Sequence, residues 1–533
     1  MKYSVLERYP IKDLAGLYFV PFSLILSFVF GLVISMVVTI DMTIVRYASF
    51  LVSVVWLTLI STGVVGFLFI FNIGLMFGFG LNIGTLGWIF QYIHSEYNGE
   101  FIAFGTYFFI LVVLSLRFAL VSIFIKLVSP LLDGFSPLKV LLFILSSSSV
   151  YVLSGYIYSL GESAFPWFHP GAFLVDYIPT VFSVSGGLGV DFLLCFNVIG
   201  LAVLLYYGRF RTAAIYVAIT VLAVSFFYFH SKNNTETTIT SGNTVRLRVL
   251  HGANDVMTKQ SSSSASAKVR KYLALSGFAP SPDLVIWPES SVPLASVLSR
   301  QTFISAMSSL VEKGTDVIYG AQFQKGLELV NVANQGTRGL KPVYTKQRLV
   351  PFGEFRPTFY KKLINMPLSR GEDISPVRKS QKPTSLSGQV ELAISICFEA
   401  LFSNTYREQL RHERPTLLLL LSDLQWSSAP WIKRYLLLIA QTRAAELGLF
   451  LAYSTNGGIS AVIDPEGRIL ASVSGNKTEF IDAEVSALAS STTFSKYGDT
   501  PVIALSLLSI FCAGIWVASQ WRRQRRQIHY KEI

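Results

Sequence analysis

Val390-Glu-Leu-Ala-Ile-Ser-Ile-Cys397 reads as a buried strand with a thiol at its tip. A helical pattern begins soon after, over 400–411, and a helix N-terminus favours thiolate, the reactive form of cysteine. Two other segments have the same design. Leu284-Val-Ile-Trp-Pro-Glu289 puts a carboxylate just past a hydrophobic strand. Tyr344-Thr-Lys-Gln-Arg-Leu-Val-Pro-Phe-Gly-Glu354, between the two, carries an ammonium and a second carboxylate.

Strand-like runs recur around these segments, at 245–250, 284–287, 316–319, 390–396, 416–421, 450–454 and 459–463. Helical patterns separate several of them, at 297–312, 400–411 and 430–447. Asp464-Pro-Glu-Gly467 lies between two β-rich runs and predicts a hairpin turn. Such alternation implies an α/β sandwich, with sheets covered by helices. The polar stretch 231–244 reads as a linker before this part, and the serine-rich 261–266 as a loop or frayed helix.

The rest of the chain is of another kind. Of 533 residues, 52% are hydrophobic and only 14% charged, whereas soluble domains carry roughly 25% charged residues. A spanning helix needs about 20 apolar residues. Stretches of that kind lie at 15–40, 48–71, 74–93, 101–127, 138–159, 189–207, 212–229 and 501–519. The uncharged stretch 47–93 is about twice one crossing, which predicts two helices broken near Asn72.

Basic residues near helix ends set direction. Lys2, Arg8 and Lys12 precede the first helix, Lys126 and Lys139 flank the loop after the fourth, and Arg209 and Arg211 follow the sixth. Arg522, Arg523, Arg525 and Arg526 follow the last, whereas the loops 94–100 and 160–185 have little positive charge. Arg46, in the first outer loop, is a minor exception. The pattern predicts both termini in the cytoplasm and the large domain in the periplasm. The first helix is long and lacks a clear small-residue cleavage site, so it reads as an anchor. The expected organisation is a membrane domain over 1–230, a catalytic domain over 231–495, and a last helix with a basic tail over 496–533.

The formal charge of +12 sits largely at helix edges, where topology and anionic lipid explain it, and there is no nucleic-acid motif. Arg117, inside the fourth helix, has two readings: a functional intramembrane charge, or one that snorkels or pairs with a carbonyl. The aromatic loop 161–169 reads as an interfacial belt or as part of a lipid-binding mouth.

Cys195 and Cys512 lie in apolar runs, leaving Cys397 alone in the soluble part, so no disulfide is expected there. No CxxC or HExxH pattern suggests a metal, and no GxSxG suggests a serine hydrolase. Acyl transfer needs the residue types at the three strand tips. A thiol attacks an ester and holds the acyl group, a carboxylate handles the proton, and a cation stabilises the oxyanion. Taken singly, Glu289 reads equally as a strand-end surface charge and Lys346 as a solvated loop lysine; their occurrence together with Cys397 is the specific signal.

These segments resemble the nitrilase superfamily, and more closely the apolipoprotein N-acyltransferases of the bacterial envelope. The resemblance rests on Pro288-Glu289, Tyr344-Thr-Lys346, Leu349-Val-Pro-Phe-Gly-Glu-Phe355, Ile396-Cys-Phe-Glu399, Arg443-Ala-Ala-Glu446 and Ser454-Thr-Asn-Gly-Gly-Ile-Ser460. Phe77-Gly-Phe-Gly80, Gly84-Thr-Leu-Gly-Trp88 and Phe165-Pro-Trp167 resemble its helix motifs. It implies a polytopic helical membrane domain of about eight spans joined to an αββα sandwich. It also implies Cys397 as nucleophile, Glu289 as base, Lys346 as oxyanion stabiliser, and Glu354, Phe398 and Glu399 in supporting places. The implied reaction is ping-pong, without cofactor or metal. The sn-1 acyl chain of a phospholipid, typically phosphatidylethanolamine, passes to Cys397 and then to the α-amine of a diacylglyceryl-cysteine on an apolipoprotein.

The chain departs from the family at Ser422-Asp-Leu-Gln-Trp-Ser-Ser428, which keeps only the serine and Trp426 of the usual segment. Phe398 stands for a tyrosine, no tryptophan occurs at 256–259, and arginines usual near Leu449 and Tyr453 are absent. Phe352, Phe355, Trp426 and Trp167 are the candidate substrate-contacting residues. Phe352, Phe355, Phe359 and Tyr360 read as an exposed lid or as ordinary core. Two further readings stand beside the N-acyltransferase: a membrane-tethered amidase or acyltransferase with another acceptor, and an inactive scaffold relative.

Overall fold

A computed structural model describes residues 15–39, 66–96, 100–238, 243–253, 262–292, 300–325, 328–336, 342–363, 373–376, 381–386, 390–427, 429–488 and 491–531. Six long helices open the described chain: α1 (Ala15–Thr39), α2 (Phe67–Glu96), α3 (Glu100–Val128), α4 (Pro137–Ile157), α5 (Pro179–Tyr206) and α6 (Phe210–Thr238). Most of the expected second span, 48–65, lies outside the described residues. The expected break near Asn72 does not occur: α2 starts at Phe67 and runs through Asn72 without interruption. Asn72 is a weak helix former, not a breaker, and packing against α1 and α3 overrides it. The 231–238 part of the expected linker is likewise helical, as the end of α6.

Glycines let α1 and α2 cross at backbone contact. A Cβ on Gly31 would overlap the Phe77 carbonyl, and one on Gly80 would overlap the Phe28 carbonyl. Small residues at a crossing are how helices gain packing where no water drives them together. In α5 the helix kinks at Gly186, whose φ of 68° places the Phe494 ring against its backbone. Arg117 of α3 donates to the Tyr151 carbonyl at 3.2 Å and to Ser154 Oγ at 3.0 Å, and its guanidinium sits 4.7 Å from the Tyr151 ring centre.

The soluble part follows as two six-stranded sheets. The first has β1 (Asn243–His251), β2 (Leu284–Ile286), β3 (Asp316–Lys325), β4 (Glu328–Gln335) and β5 (Pro342–Thr345). The second has β6 (Thr384–Leu386), β7 (Val390–Ile396), β8 (Leu417–Asp423), β9 (Leu451–Asn456), β10 (Ile459–Ile463) and β11 (Ile469–Ser474). β12 (Glu479–Ala487) returns to the first sheet, giving the orders β12-β1-β2-β3-β4-β5 and β11-β10-β9-β8-β7-β6. β1, β2 and β3 are mutually parallel, as are β7, β8 and β9. The Leu417–Leu421 run is buried throughout because a central parallel strand is covered on both faces. The Asp464 turn joins antiparallel β10 and β11, as its sequence predicts.

The sheets meet face to face, and Ser454 Oγ crosses between them to the Leu250 carbonyl at 2.6 Å. Outside the first sheet lie α7 (Ser262–Ser276) and α8 (Arg300–Glu312), which bury Tyr272 and Phe303 against Trp287 and Tyr319. Next come α9 (Thr358–Leu363), α10 (Asn404–Leu410) and α11 (Pro430–Leu447), the last opened by Pro430 and closed by Gly448 at φ 64°. α11 packs on the second sheet with one face and on α5 with another, so the sandwich rests on the membrane helices. α12 (Thr493–Tyr497) leads into α13 (Thr500–Lys531), which returns along α4 and is held by a 2.7 Å Ser149–Ser509 hydroxyl contact. Among the described residues, six helices are long and apolar enough to cross a membrane.

Gly80→Val is expected to force α1 and α2 apart, at a cost of about 1–3 kcal/mol. Thermal unfolding in detergent should show a midpoint lowered by several degrees. Gly105→Ala, where a Cβ meets nothing within 4 Å, should leave it unchanged; equal midpoints for the two variants would contradict the close crossing.

Candidate active site

The parallel strands of both sheets end at one place. β2 leads to Glu289, β7 to Cys397, β8 to Asp423 and β9 to Asn456, so four polar groups converge at strand carboxyl ends. Open α/β sheets place ligands there because the backbone leaves the sheet and frees its side chains. Gly320 allows the approach, since a Cβ on it would collide with the Glu289 backbone.

Glu289 is buried and fully engaged. Its Oε1 accepts from Lys346 Nζ at 3.0 Å and from Asn331 Nδ2 at 2.6 Å. Its Oε2 accepts from the Asp423 amide at 2.9 Å, while Asn456 Nδ2 holds its carbonyl at 2.7 Å. Lys346, 1% exposed, also donates to Glu354 Oε1 at 2.7 Å, and Glu354 Oε2 takes the Val350 amide at 2.8 Å. The ammonium is thus clamped between two carboxylates, each oriented by backbone.

Cys397 stands at the turn out of β7 with φ 52°, a left-handed conformation that costs a non-glycine residue about 1 kcal/mol or more. Its neighbours hold it there. Glu399, fully buried, accepts from the Ile396 amide at 2.8 Å and the Tyr344 hydroxyl at 2.9 Å. Its other oxygen accepts from the Gln347 and Arg348 amides at 2.6 and 3.0 Å. One carboxylate therefore joins the cysteine turn to the lysine loop. The helix expected over 400–411 is shorter: Cys397–Leu401 is a 3₁₀ turn, and α10 begins only at Asn404.

The electrostatics correct the expectation of a preformed thiolate. Burial pushes the Cys397 thiol well above the ordinary thiol range, and Glu289 and Glu354 push the same way. Lys346 and the Asp423 amide pull it back without restoring it. Burial also lifts Glu289 against the pull of Lys346. Burial alone would lower Lys346, but Glu289 and Glu354 hold its ammonium well above the usual lysine value. Glu399 is raised by burial to about 7, despite its backbone donors. The arrangement suits a neutral thiol that gives up its proton as it attacks, with the Glu289 carboxylate as the acceptor at hand.

Of the candidate substrate-contacting residues, Phe352, Trp426 and Trp167 lie at the seam with the membrane helices. Phe352, Phe355 and Tyr360 are buried, which overturns the exposed-lid reading; only Phe359 stays substantially exposed. Phe352 packs on Tyr360 where this segment docks on α3, with Tyr360 Oη 2.7 Å from Thr106 Oγ1 and the Phe359 ring 5.7 Å from Phe109, whereas Phe355 is buried with Leu349 and Ile374. Trp426 packs at 4.7 Å on Trp88 of α2, and Trp88 at 5.4 Å on Trp167. Phe398 stacks at 5.7 Å on Phe165, so the loop between α4 and α5 touches the residue after the cysteine. Asn331 was not legible in the sequence: it lies inside β4, which no pattern marks, and reaches the site only through strand pairing. Asn456 sits in the Ser454–Ser460 motif without local sign of its role. Among the described residues, no cluster of His, Cys, Asp and Glu could hold a metal ion.

The Carbon-nitrogen hydrolase family matches residues 281–494. An apolipoprotein N-acyltransferase of Bradyrhizobium diazoefficiens is 33% identical over 46% of this chain, and the match spans about half, 49%, of that relative's length. One from Wigglesworthia glossinidia brevipalpis is 22% identical over 86% of this chain and 91% of its own. A solved structure of Saccharomyces cerevisiae Nit3, a member of the nitrilase superfamily, aligns over 46% of this chain and 90% of its own, with a TM-score of 0.32 and 16% identity.

Glu399→Gln keeps the shape but turns one acceptor into a donor facing amide donors. Each such conflict costs about 1–3 kcal/mol. Turnover should fall by roughly ten- to a hundred-fold, with the far-ultraviolet circular dichroism unchanged; wild-type turnover in the variant would remove Glu399 as the brace.

Proposed function

We propose that this chain, which belongs to the apolipoprotein N-acyltransferases among the carbon–nitrogen hydrolases, moves a fatty acyl group from a phospholipid to the α-amine of a diacylglyceryl-cysteine on an apolipoprotein. One observation carries the reading. A buried thiol lies beside a Glu289–Lys346 pair, and the next residue, Phe398, stacks on Phe165 of the loop between two apolar helices. A soluble amidase has no need of such a seam, whereas donor and acceptor here both live in the bilayer.

In the first half-reaction Cys397 Sγ attacks the ester carbonyl as its proton passes to Glu289. Lys346 spends two of its three N–H groups on Glu289 and Glu354. The third serves the tetrahedral oxyanion, a contribution typically worth about 3–4 kcal/mol per donor. The ester C–O bond breaks, and the lysophospholipid leaves with the proton from Glu289. In the second half-reaction the amine attacks the thioester carbonyl and gives a proton to Glu289. The C–S bond breaks, and the thiolate recovers that proton. Glu354 and Glu399 act as positioning residues, and Phe398 with Phe352, Phe355, Trp167 and Trp426 lines the lipid approach.

The basic residues at helix ends support a location of the sandwich in the periplasm, with both termini in the cytoplasm of a cell with an inner membrane. The corresponding organisation is a membrane domain over 1–230, a catalytic domain over 231–495 and a last helix with its tail over 496–533.

Incubation of the purified chain with phospholipid should give an acyl adduct on Cys397, read by mass spectrometry. Cys397→Ser should lower adduct formation at least about a hundred-fold; equal labelling of the variant would sink the assignment. Because Glu289 must be ionised to take the proton and burial raises it, acylation should decline as pH drops. The midpoint of that acid limb should lie above the roughly 4.3 of a free glutamate. A limb at or below that value would mean that Glu289 is not the base.

A further inference from the structure

We propose that a second polar cavity, at the seam beside the lysine loop, is a binding site for the phosphate of a lipid headgroup, built on Arg348 and Arg443. The proposal rests on the acyltransferase reading and adds to it a subsite away from the reacting thiol. The cavity lies between the end of α4, the kink of α5 and the sandwich, and Gln347, Arg348, Phe402, Asn404 and Arg443 are among its lining residues.

Arg443 carries the argument. It is 4% exposed, and its Nη2 pairs with Glu446 Oε1 at 3.2 Å. Its Nε and Nη1 are buried without a hydrogen-bond partner among the described residues. A buried guanidinium with unspent donors is costly, and the oxygens of an anion such as a phosphate or carboxylate best repay it. The pair is held from the membrane side, because the Gly187 amide donates to Glu446 Oε1 at 2.7 Å just after the Gly186 kink. Any Cβ at Gly187 would come within 3.5 Å of Arg443 Nη2.

Arg348 supplies the second charge. It is half-buried, with its guanidinium 5.0 Å from the Phe402 ring centre. Its own amide is bound to Glu399, so an anion gripped by its side chain is tethered to the loop that carries Lys346. The carboxylates of Glu408 and Asp499 line the same cavity. They oppose a bare phosphate dianion more than the single charge of a phosphodiester. This favours a lipid headgroup over free phosphate.

The test uses the full chain in detergent, with Arg348→Ala and, as a milder change that keeps a cation beside Glu446, Arg443→Lys. Isothermal titration with sn-glycero-3-phosphoethanolamine should show binding to the wild type that weakens about ten-fold or more in each variant. Inorganic phosphate should bind more weakly than the ester. In mixed micelles Arg348→Ala should raise KM for phosphatidylethanolamine by a similar factor with little change in kcat. Acylation of Cys397 by p-nitrophenyl butyrate, which has no phosphate, should be unaffected. Unaltered titration in both variants would overturn the site, as would equal loss with both acyl donors, or inorganic phosphate binding as tightly as the ester. A wild-type chain acylated by p-nitrophenyl butyrate but by no phospholipid would refute the donor reading instead, while the titrations still judged the site.

Discussion

The buried carboxylate of Glu399 is the contact on which the candidate site turns. It receives four donors from two segments far apart in sequence, the Tyr344–Arg348 stretch and the Ile396 amide. Tyr344 and Ile396 are paired within β5 and β7, but Gln347 and Arg348 lie past the end of β5 and Cys397 past the end of β7. Without that carboxylate, nothing else among these bonds ties the lysine loop to the cysteine turn. It also compensates the left-handed backbone at Cys397, which the surrounding structure must over-determine to persist.

Around this brace the electrostatics are those of a shared proton rather than of a standing thiolate. Two carboxylates and one ammonium lie within hydrogen-bonding reach in a buried pocket. Burial, reinforced by that excess of negative charge, holds the Cys397 thiol well above its ordinary range. The same carboxylates keep Lys346 charged, so its cation is present whenever charge develops nearby.

The seam with the membrane helices gives the site its setting. Trp88, Trp167 and Trp426 form a continuous aromatic contact from α2 to the loop after β8, and Phe165 extends it to the residue after the cysteine. Aromatic rings suit this place because they offer a rigid apolar body that tolerates both lipid and protein neighbours. α11 continues the seam by packing on both the sheet and α5. Movement of the helices relative to the sandwich would therefore be felt within one residue of Cys397.

Much was legible from local pattern. Apolar length marked the membrane helices, and hydrophobic runs ending in Glu289 and Cys397 marked two strand tips, because both signals are written in contiguous residues. Helix ends were less legible: α2 passes through Asn72, and α6 extends into a polar stretch, since tertiary packing outweighs weak propensities. The burial of Phe352, Phe355 and Tyr360 was undecided in the sequence, which shows that a segment is apolar but not what covers it. The charge states, the role of Asn331 and the grip of Glu399 belonged to the tertiary structure alone. Each depends on distances between atoms separated by dozens of residues, and on the loss of water around them, which no stretch of sequence contains.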